Sequence, residues 1–367
     1  MRVLLASPFG KAGGIARWTE HILDHYSKVC YPYEGGVDYL PMILPHSQSV
    51  IHKGLWSRLK RGLLGYYKFC RTADKVLKTQ KYDVLHFASS ASISLTKDLC
   101  LIRIAHKRGA KAIVHFHFGR IPELSHSRNW EWKLLVKVIK AADQVVVIDK
   151  TSYDTLRAKG FDNISLLPNP VAPKVVGIVA DATDVERKER TILFVGHGLR
   201  TKGIYELIDA CRNIPNIRVK ILGAILDRTK EELYQYSDKA DWLDIVGEIP
   251  YEHVMKSMLE CDVFVLPTYT EGFPNVILES MACGCAIVTT PVGAIPEMLE
   301  EEDGKHYGIM VEPRNVEQLK AGIEKMLSDA DFKSECRANV QQRVIERYNI
   351  DSVWRQMVGV WNKTMAR

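Results

Sequence analysis

No stretch of the 367 residues approaches the ~18 uninterrupted apolar residues of a membrane span. Met1-Arg-Val-Leu-Leu-Ala-Ser-Pro8 is too short an apolar run for a secretory leader. The chain is therefore read as cytoplasmic. Its eight cysteines (Cys30, Cys70, Cys100, Cys211, Cys261, Cys283, Cys285 and Cys336) lack the paired spacing of a zinc site or a disulfide framework. Cys283-Gly-Cys285 is too tight for a zinc knuckle, and all eight read as buried thiols behaving as small hydrophobes. Neither a GxGxxG fingerprint nor a Walker sequence is present, so the commonest dinucleotide and P-loop sites are excluded. Short internal repeats and low-complexity segments are absent too.

What remains is an ordinary globular composition, 46% hydrophobic and 26% charged, at a length that predicts two domains, each large enough for its own core. The charge is unevenly divided. Residues 1–170 hold 26 Lys+Arg against 13 Asp+Glu, or +13, and residues 171–367 hold 24 against 31, or −7, within a total of +6. The basic excess is densest between Ile51 and Lys81, where Lys53, Arg58, Lys60, Arg61, Lys68, Arg71, Lys75 and Lys78 interleave with Leu55, Trp56, Leu59, Leu63, Leu64, Tyr66 and Tyr67. A helix of this kind suits an anionic membrane surface, each cation contributing about 1 kcal/mol near it. The same residues equally describe an amphipathic helix packed on its own sheet with solvated lysines. Nucleic acid is not expected, because no recognition fold accompanies the charge.

Short β-type runs alternate with helical patterns from end to end. Val3-Leu-Leu-Ala6, Val84-Leu-His-Phe87, Ala112-Ile-Val-His-Phe-His117 and Val145-Val-Val-Ile148 form a first series of strands. A second comprises Thr191-Ile-Leu-Phe-Val195, Ile217-Arg-Val-Lys-Ile-Leu222, Leu243-Asp-Ile-Val246, Val263-Phe-Val-Leu266 and Ala286-Ile-Val-Thr289. Alternation of this kind predicts an α/β chain of two doubly wound, Rossmann-like parallel-sheet domains. Ligands of such sheets bind outside the carboxyl ends of the strands, so the two domains would face a central cleft. The boundary falls after Leu166-Leu-Pro-Asn-Pro-Val171, ahead of a polar stretch from Ala180 to Arg190. Domains of 1–170 and 171–350 follow, with a last helix in 351–367 whose Val353, Trp354, Met357, Val358 and Trp361 must bury one face.

The chemistry concentrates around Glu271-Gly-Phe-Pro-Asn-Val-Ile-Leu-Glu279. A buried strand, Val263-Phe-Val-Leu-Pro267, exits into the loop Thr268 to Phe273; Pro274 suits the first helical position and Gly284 the C-terminal cap. The first-turn amides near Asn275, Val276 and Ile277 make an anion site reinforced by the helix dipole. Glu279, over a turn further in, would oppose phosphates and is better suited to neutral hydroxyls such as those of a ribose.

Three further clusters sit at strand ends. Phe194-Val-Gly196-His197-Gly198-Leu-Arg200-Thr-Lys202-Gly203 is a glycine-bracketed turn whose two cations can neutralise a diphosphate leaving group, although a solvated basic turn reads the same. Ser7-Pro-Phe-Gly10-Lys-Ala-Gly13-Gly14-Ile-Ala-Arg17 is a glycine-rich strand-to-helix loop, open either to a phosphate or simply to a tight turn. His117, at a carboxyl strand end, can bond a substrate hydroxyl, whereas His115, deeper in the strand, reads as structural.

Together these motifs resemble the retaining, nucleotide-sugar-dependent glycosyltransferases of the GT-B fold, glycosyltransferase family 4. The resemblance spans nearly the whole chain: Gly13-Gly14, Asp83-Val-Leu-His86, His117, Pro168-Asn169, Gly196 with Lys202-Gly203, Gly247-Glu-Ile-Pro250, Cys261 to Pro267, the Glu271 and Glu279 motif, and Gly308-Ile-Met-Val-Glu-Pro313. It is most specific in the second half. It implies a hexosyltransferase in which Glu271 contacts donor-sugar hydroxyls and the backbone of Gly272, Phe273, Pro274 and Asn275 cradles the sugar. Amides near Ile277 and Leu278 would hold phosphates, Glu279 the ribose, and Lys202 the developing diphosphate charge. Gly247, Glu248 and Ile249 would flank the base, His117 would sit at the sugar, and Gly14 would approach the phosphates from the first domain, onto which the last helix would cross back. The first domain would bind the acceptor and the second the donor.

The chain departs from the family at His197, where an arginine often follows Gly196; Arg200, three residues on, is assigned the missing charge. Catalysis would be positioning plus electrostatics on a single face of the donor, with neither cofactor nor metal. The donor leans to a UDP-sugar. The acceptor would be a glycan or lipid-linked molecule of cell-surface polysaccharide or glycolipid synthesis, with peripheral contact to the inner face of the membrane through segment 51–81. Two other readings stand beside it: a nucleotide-sugar epimerase of the same fold, and a non-catalytic GT-B binding protein.

Overall fold

The computed structural model describes residues 1–8, 14–28, 36–42, 55–127, 129–182 and 185–367, with the side chains of α2 from Leu64 onward. Cys30, Gly10 and Gly13 of the glycine-rich loop, and residues 51–54 of the basic segment lie outside the described residues, as do the side chains of 55–63. The chain divides into two compact units: unit 1 comprises Met1–Asn169 with Val353–Arg367, and unit 2 comprises Pro170–Ser352. By these boundaries unit 1 carries 29 Lys+Arg against 13 Asp+Glu and unit 2 carries 21 against 31, or +16 and −10.

Unit 1 runs β1 (Val3–Pro8), α1 (Gly14–Lys28), β2 (Val37–Met42), α2 (Leu55–Thr79), β3 (Val84–Ser89) and α3 (Ser94–Lys107). It continues through β4 (Lys111–Phe116), α4 (Ile121–Ser127), α5 (Trp130–Ala141), β5 (Gln144–Val147), α6 (Lys150–Ala158) and β6 (Ile164–Leu166). All its strand pairs are parallel, in the order β2-β1-β3-β4-β5-β6. Successive residues of a strand alternate faces. One face (Leu4, Ala6, Leu85, Phe87, Val114, Phe116) belongs to a core shared with Phe69, Ala73 and Leu77 of α2 and Leu101 and Ile102 of α3. His86 and His115 lie on the other face, beside Trp18 of α1.

Unit 2 runs α7 (Pro173–Asp181), β7 (Lys188–Val195), a 3₁₀ turn (Arg200–Lys202), α8 (Ile204–Cys211), β8 (Arg218–Leu222), α9 (Asp227–Tyr236), β9 (Leu243–Gly247), α10 (Tyr251–Glu260) and β10 (Cys261–Leu266). After these come α11 (Asn275–Ala282), β11 (Ala286–Thr289), α12 (Ile295–Leu299), β12 (Ile309–Met310), α13 (Val316–Ser328) and α14 (Ala330–Arg347). Its parallel order, β12-β11-β10-β7-β8-β9, reverses direction between β7 and β10. That reversal opens a crevice at the carboxyl ends of these two strands.

The last helix, α15 (Ile350–Met365), joins unit 1 from Val353 on. Trp361 is fully buried there and its Nε1–H donates to His86 Nδ1 at 3.0 Å, while Trp354 packs edge-on against His25. Three strands that the sequence pattern does not disclose, β2, β6 and β12, are all sheet edges. β2 carries Pro41, which an edge tolerates because one side of its backbone needs no ladder bond. β6 and β12 are three and two residues long.

Candidate functional site

The crevice of unit 2 is built by two loops. The one after β7 is tied to the end of β8 by Gly196 N–H to Leu222 O and Gly198 N–H to Ala224 O, at 2.9 and 3.0 Å. It then closes into the Arg200–Lys202 turn and Gly203, at φ +72°. The loop after β10 is fastened to that turn by Tyr269 N–H to Thr201 O at 2.8 Å. Three glycines at positive φ allow this closeness. A Cβ on Gly203 would stand 2.0 Å from Pro267 O, one on Gly223 2.0 Å from Gly196 O, and one on Gly293 2.5 Å from Glu271 O. Each gap is closed to any larger residue.

Lys202 Nζ and Glu271 Oε1 meet at 2.5 Å, with only 21% and 12% of their side chains exposed. Two residues 69 apart in sequence thus form one partly dehydrated ion pair at the strand-order reversal. The carbonyl of Gly272 accepts from Ala294 N–H at 2.9 Å, and Phe273 is buried edge-on to Tyr348, so the backbone just after Glu271 is fixed.

Pro274 differs from its expected place. It is the N-cap of α11 rather than its first helical residue, with φ −75° and ψ 106°. The extended ψ turns its carbonyl to accept Ile277 N–H at 3.0 Å, so the helix starts at Asn275. Gly284, at φ +62°, follows the C-cap Cys283, and Cys285 N–H returns to Ser280 O at 3.0 Å. Ile277, Leu278 and Glu279 are buried, which leaves the first turn as the accessible part of the helix.

Glu279 accepts from Tyr251 Oη at 3.0 Å. Tyr251 opens α10 directly after Gly247, Glu248, Ile249 and Pro250, so this bond joins the Gly247–Ile249 segment to the α11 acid. Gly247 has φ +95° and nothing within 4 Å of its missing Cβ. Glu248 is exposed and Ile249 half-buried. His197 is exposed, and Arg200 stacks over the Tyr205 ring at 4.7 Å rather than joining the Lys202 pair. Tyr205 in turn donates to Glu232 at 2.6 Å, and burial with that carboxylate pushes its phenol up to about 12.

Gly14 and His117 belong to unit 1. Gly14 is the exposed first residue of α1. His117 directly follows β4, half-buried, and its N–H donates to Ser89 O at 3.0 Å. Its ring lies 4.0 Å from that of His115 and 4.9 Å from Trp18. His115 makes no hydrogen bond with either ring nitrogen among the described residues. Burial, and secondarily its histidine neighbours, hold it well below the ordinary imidazole range, and burial alone takes His86 down to about 3. Burial takes His117 down to about 3 as well, so burial favours the neutral form of all three rings. Among the described residues no group of three or more His, Cys, Asp or Glu side chains is placed to hold a metal ion, and no helix is long and apolar enough to cross a membrane.

Sequence reasoning passed over Tyr251, Gly223 and Gly293. Gly293 had a legible signal: Thr290-Pro-Val-Gly-Ala294 is a glycine turn at a carboxyl strand end, like the turn at Gly196. Tyr251 had none, since its partner is 28 residues away.

Comparison with known proteins gives two family models in tandem. Residues 18–175 match Glycosyltransferase Family 4, and residues 180–343 match Glycosyl transferases group 1. TuaC of Bacillus subtilis, a glycosyltransferase provisionally named for teichuronic acid biosynthesis, is 22% identical over 84% of this chain and 77% of its own. Sucrose-phosphate synthase from Thermosynechococcus elongatus superposes with a TM-score of 0.77 at 20% identity, covering 100% of this chain and 99% of that one. Anabaena Alr3699/HepE in complex with UDP superposes with a TM-score of 0.72 at 17% identity, covering 99% and 100%.

Proposed function

For a chain that belongs to glycosyltransferase family 4 with the GT-B fold, we propose that it is a retaining hexosyltransferase. It moves a sugar from a nucleoside-diphosphate donor, by preference a UDP-sugar, to a glycan or lipid-linked acceptor of cell-surface polysaccharide or glycolipid synthesis. The observation that carries this reading is the Lys202–Glu271 pair at the strand-order reversal, within a few residues of the α11 N-terminus. A cation for the diphosphate comes from the loop after β7, and a carboxylate for sugar hydroxyls and a helix start for phosphate oxygens from the loop after β10, the two loops brought close by glycines.

In the proposed reaction the donor inserts at the ion pair. Lys202 turns to the diphosphate and Glu271 accepts from hydroxyls of the sugar, with Gly272 to Asn275 lining it. Glu279, oriented by Tyr251, accepts from the ribose, and the Gly247–Ile249 segment flanks the base. The acceptor oxygen attacks the anomeric carbon on the face from which the diphosphate departs. A new C–O glycosidic bond forms, the anomeric C–O bond to phosphate breaks, and the acceptor proton passes to the departing phosphate oxygen. No covalent nucleophile and no metal enter. Lys202, Arg200 and the helix start stabilise the charge that develops on the leaving group. Arg200, in the same turn as Lys202, stands in for the arginine absent at His197.

The UDP preference draws on Alr3699/HepE, solved with UDP, and the polysaccharide role on TuaC. Peripheral contact with an anionic inner membrane face is proposed from the +16 charge of unit 1. A melting-temperature panel of nucleoside diphosphates and their sugars tests the donor, since a ligand of the folded state raises the midpoint. A shift with UDP and a UDP-sugar supports the reading; no shift with any nucleotide defeats it.

A further inference from the structure

α2 and α3 enclose a groove of about 640 Å³ on unit 1, on the outward side of the face that packs into the core. Arg71, Lys75 and Lys78 form one wall, Arg103 and Lys107 the other, all five exposed. Its one lining acid, Asp74, is already neutralised by Arg108, whose Nε and guanidinium nitrogen reach the two carboxylate oxygens at 2.8 and 3.0 Å. Among the described residues none of the five cations has a carboxylate at ion-pair distance, whereas Arg108 on the same helix pair is matched to Asp74.

A second observation lies along α2. Leu64, Tyr67, Arg71, Lys75 and Lys78 follow one another at three- and four-residue steps, so they share a single stripe. Leu64 and Tyr67, at its N-terminal end, are 58% and 60% exposed, large apolar side chains left in solvent beside the basic groove. The buried stripe of the same helix, Phe69, Ala73 and Leu77, explains its packing and leaves this one unaccounted for.

We propose that the α2–α3 groove is a site for the phosphate groups of an anionic phospholipid headgroup, with Leu64 and Tyr67 entering the headgroup boundary beside it. Five uncompensated cations around a concave surface favour a compact, multiply charged phosphate over a diffuse field, and an apolar lip suits a ligand whose phosphate is attached to acyl chains. The site deepens the membrane contact proposed above and rests on it.

Flotation with phosphatidylcholine vesicles, with and without phosphatidylglycerol, tests the groove. Two double variants are compared with the unsubstituted protein: Arg103→Gln with Lys107→Gln in the α3 wall, and Lys133→Gln with Lys137→Gln on α5, which removes equal charge outside the groove. The expected result is binding only to anionic vesicles, weakened about tenfold or more by the α3 pair and less than about threefold by the α5 pair. Equal weakening by both pairs overturns the groove while sparing general membrane attraction. Absence of vesicle binding by the unsubstituted protein overturns both, and leaves the donor site of unit 2 untouched. Calorimetric binding of inorganic phosphate that is lost in the α3 pair, without vesicle binding, reassigns the groove to soluble phosphate and contradicts the lipid. Circular dichroism confirms that the exposed substitutions leave the fold intact.

Discussion

Lys202 Nζ lies 2.5 Å from Glu271 Oε1 across the point where the strand order of unit 2 reverses. Each side chain is the other's counter-charge, and neither is well solvated. A donor carrying a diphosphate and a hydroxyl-rich sugar offers a replacement partner to both at once. On the proposed reading the pair is preorganised, its charges standing where the diphosphate and the sugar hydroxyls would go.

Loss of either member is expected to reduce turnover by about 10²–10³, the usual cost of removing one stabilising donor from a charge-developing site. Lys202→Ala and Glu271→Ala, assayed by release of nucleoside diphosphate with far-UV circular dichroism as control, provide the check. Near-normal turnover in either argues against the site. Arg200→Ala tests the compensation for His197: unchanged donor affinity and turnover would remove Arg200 from the account.

Tyr251→Phe removes the hydroxyl that donates to Glu279 Oε1 and leaves the ring in place. A hydrogen bond to a charged group contributes about 1.5–3 kcal/mol, so donor KM is expected to rise roughly tenfold or more with kcat little changed. Equal falls in kcat and kcat/KM, read from initial rates over donor concentration, would instead make Tyr251 part of the transition-state machinery.

The glycines divide into two classes that a melting series separates. Gly203→Ala places a Cβ 2.0 Å from Pro267 O at φ +72°, whereas Gly160→Ala, at φ +82°, meets nothing within 4 Å. The second should cost only the left-handed backbone penalty, about 1–2 kcal/mol, and the first clearly more. Gly293→Ala, pressed on the Glu271 and Gly272 carbonyls, is expected to lose turnover out of proportion to stability. Equal destabilisation at Gly203 and Gly160 contradicts the close-approach reading.

The buried histidines give unit 1 a dependence on acid. Folded-state values for His86 and His115 lie below the unfolded value near 6.5, so the unfolded chain binds more protons as pH falls. Their contribution is fully present above about pH 6.5 and is lost progressively below it, by up to about 1.4 kcal/mol per pH unit for each ring. Urea unfolding between pH 7 and pH 4 should show a shallower slope in His115→Gln than in the unsubstituted protein, after allowance for its lower starting stability. Identical slopes would mean His115 is protonated in the fold.

Much of this was legible beforehand because nine strands read as short β-type runs between helical patterns, most of them apolar and buried on both faces, with β8 and β9 alternating. Three of the four edges did not: β2, β6 and β12 are short or proline-bearing, since an edge needs neither length nor full pairing. Glu271, Lys202 and Glu279 were legible through the turn chemistry around them. Their pairing was not, because sequence shows the strand ends but not which two strands flank the reversal. The α2 segment illustrates a similar limit. Its periodicity allowed packing or surface attraction, and the structure gives packing to one stripe while leaving another, basic and apolar-tipped, outside.

Calorimetry of Glu271→Ala is the most direct test of how this donor site is proposed to work. The titrants are the nucleoside diphosphate selected by the melting panel and its matching nucleotide sugar. If Glu271 holds sugar hydroxyls and Lys202 the diphosphate, Glu271→Ala binds the diphosphate as before and the nucleotide sugar about tenfold or more weakly, while Lys202→Ala weakens both. Unchanged affinity of Glu271→Ala for the nucleotide sugar, or equal loss for both ligands, contradicts the account.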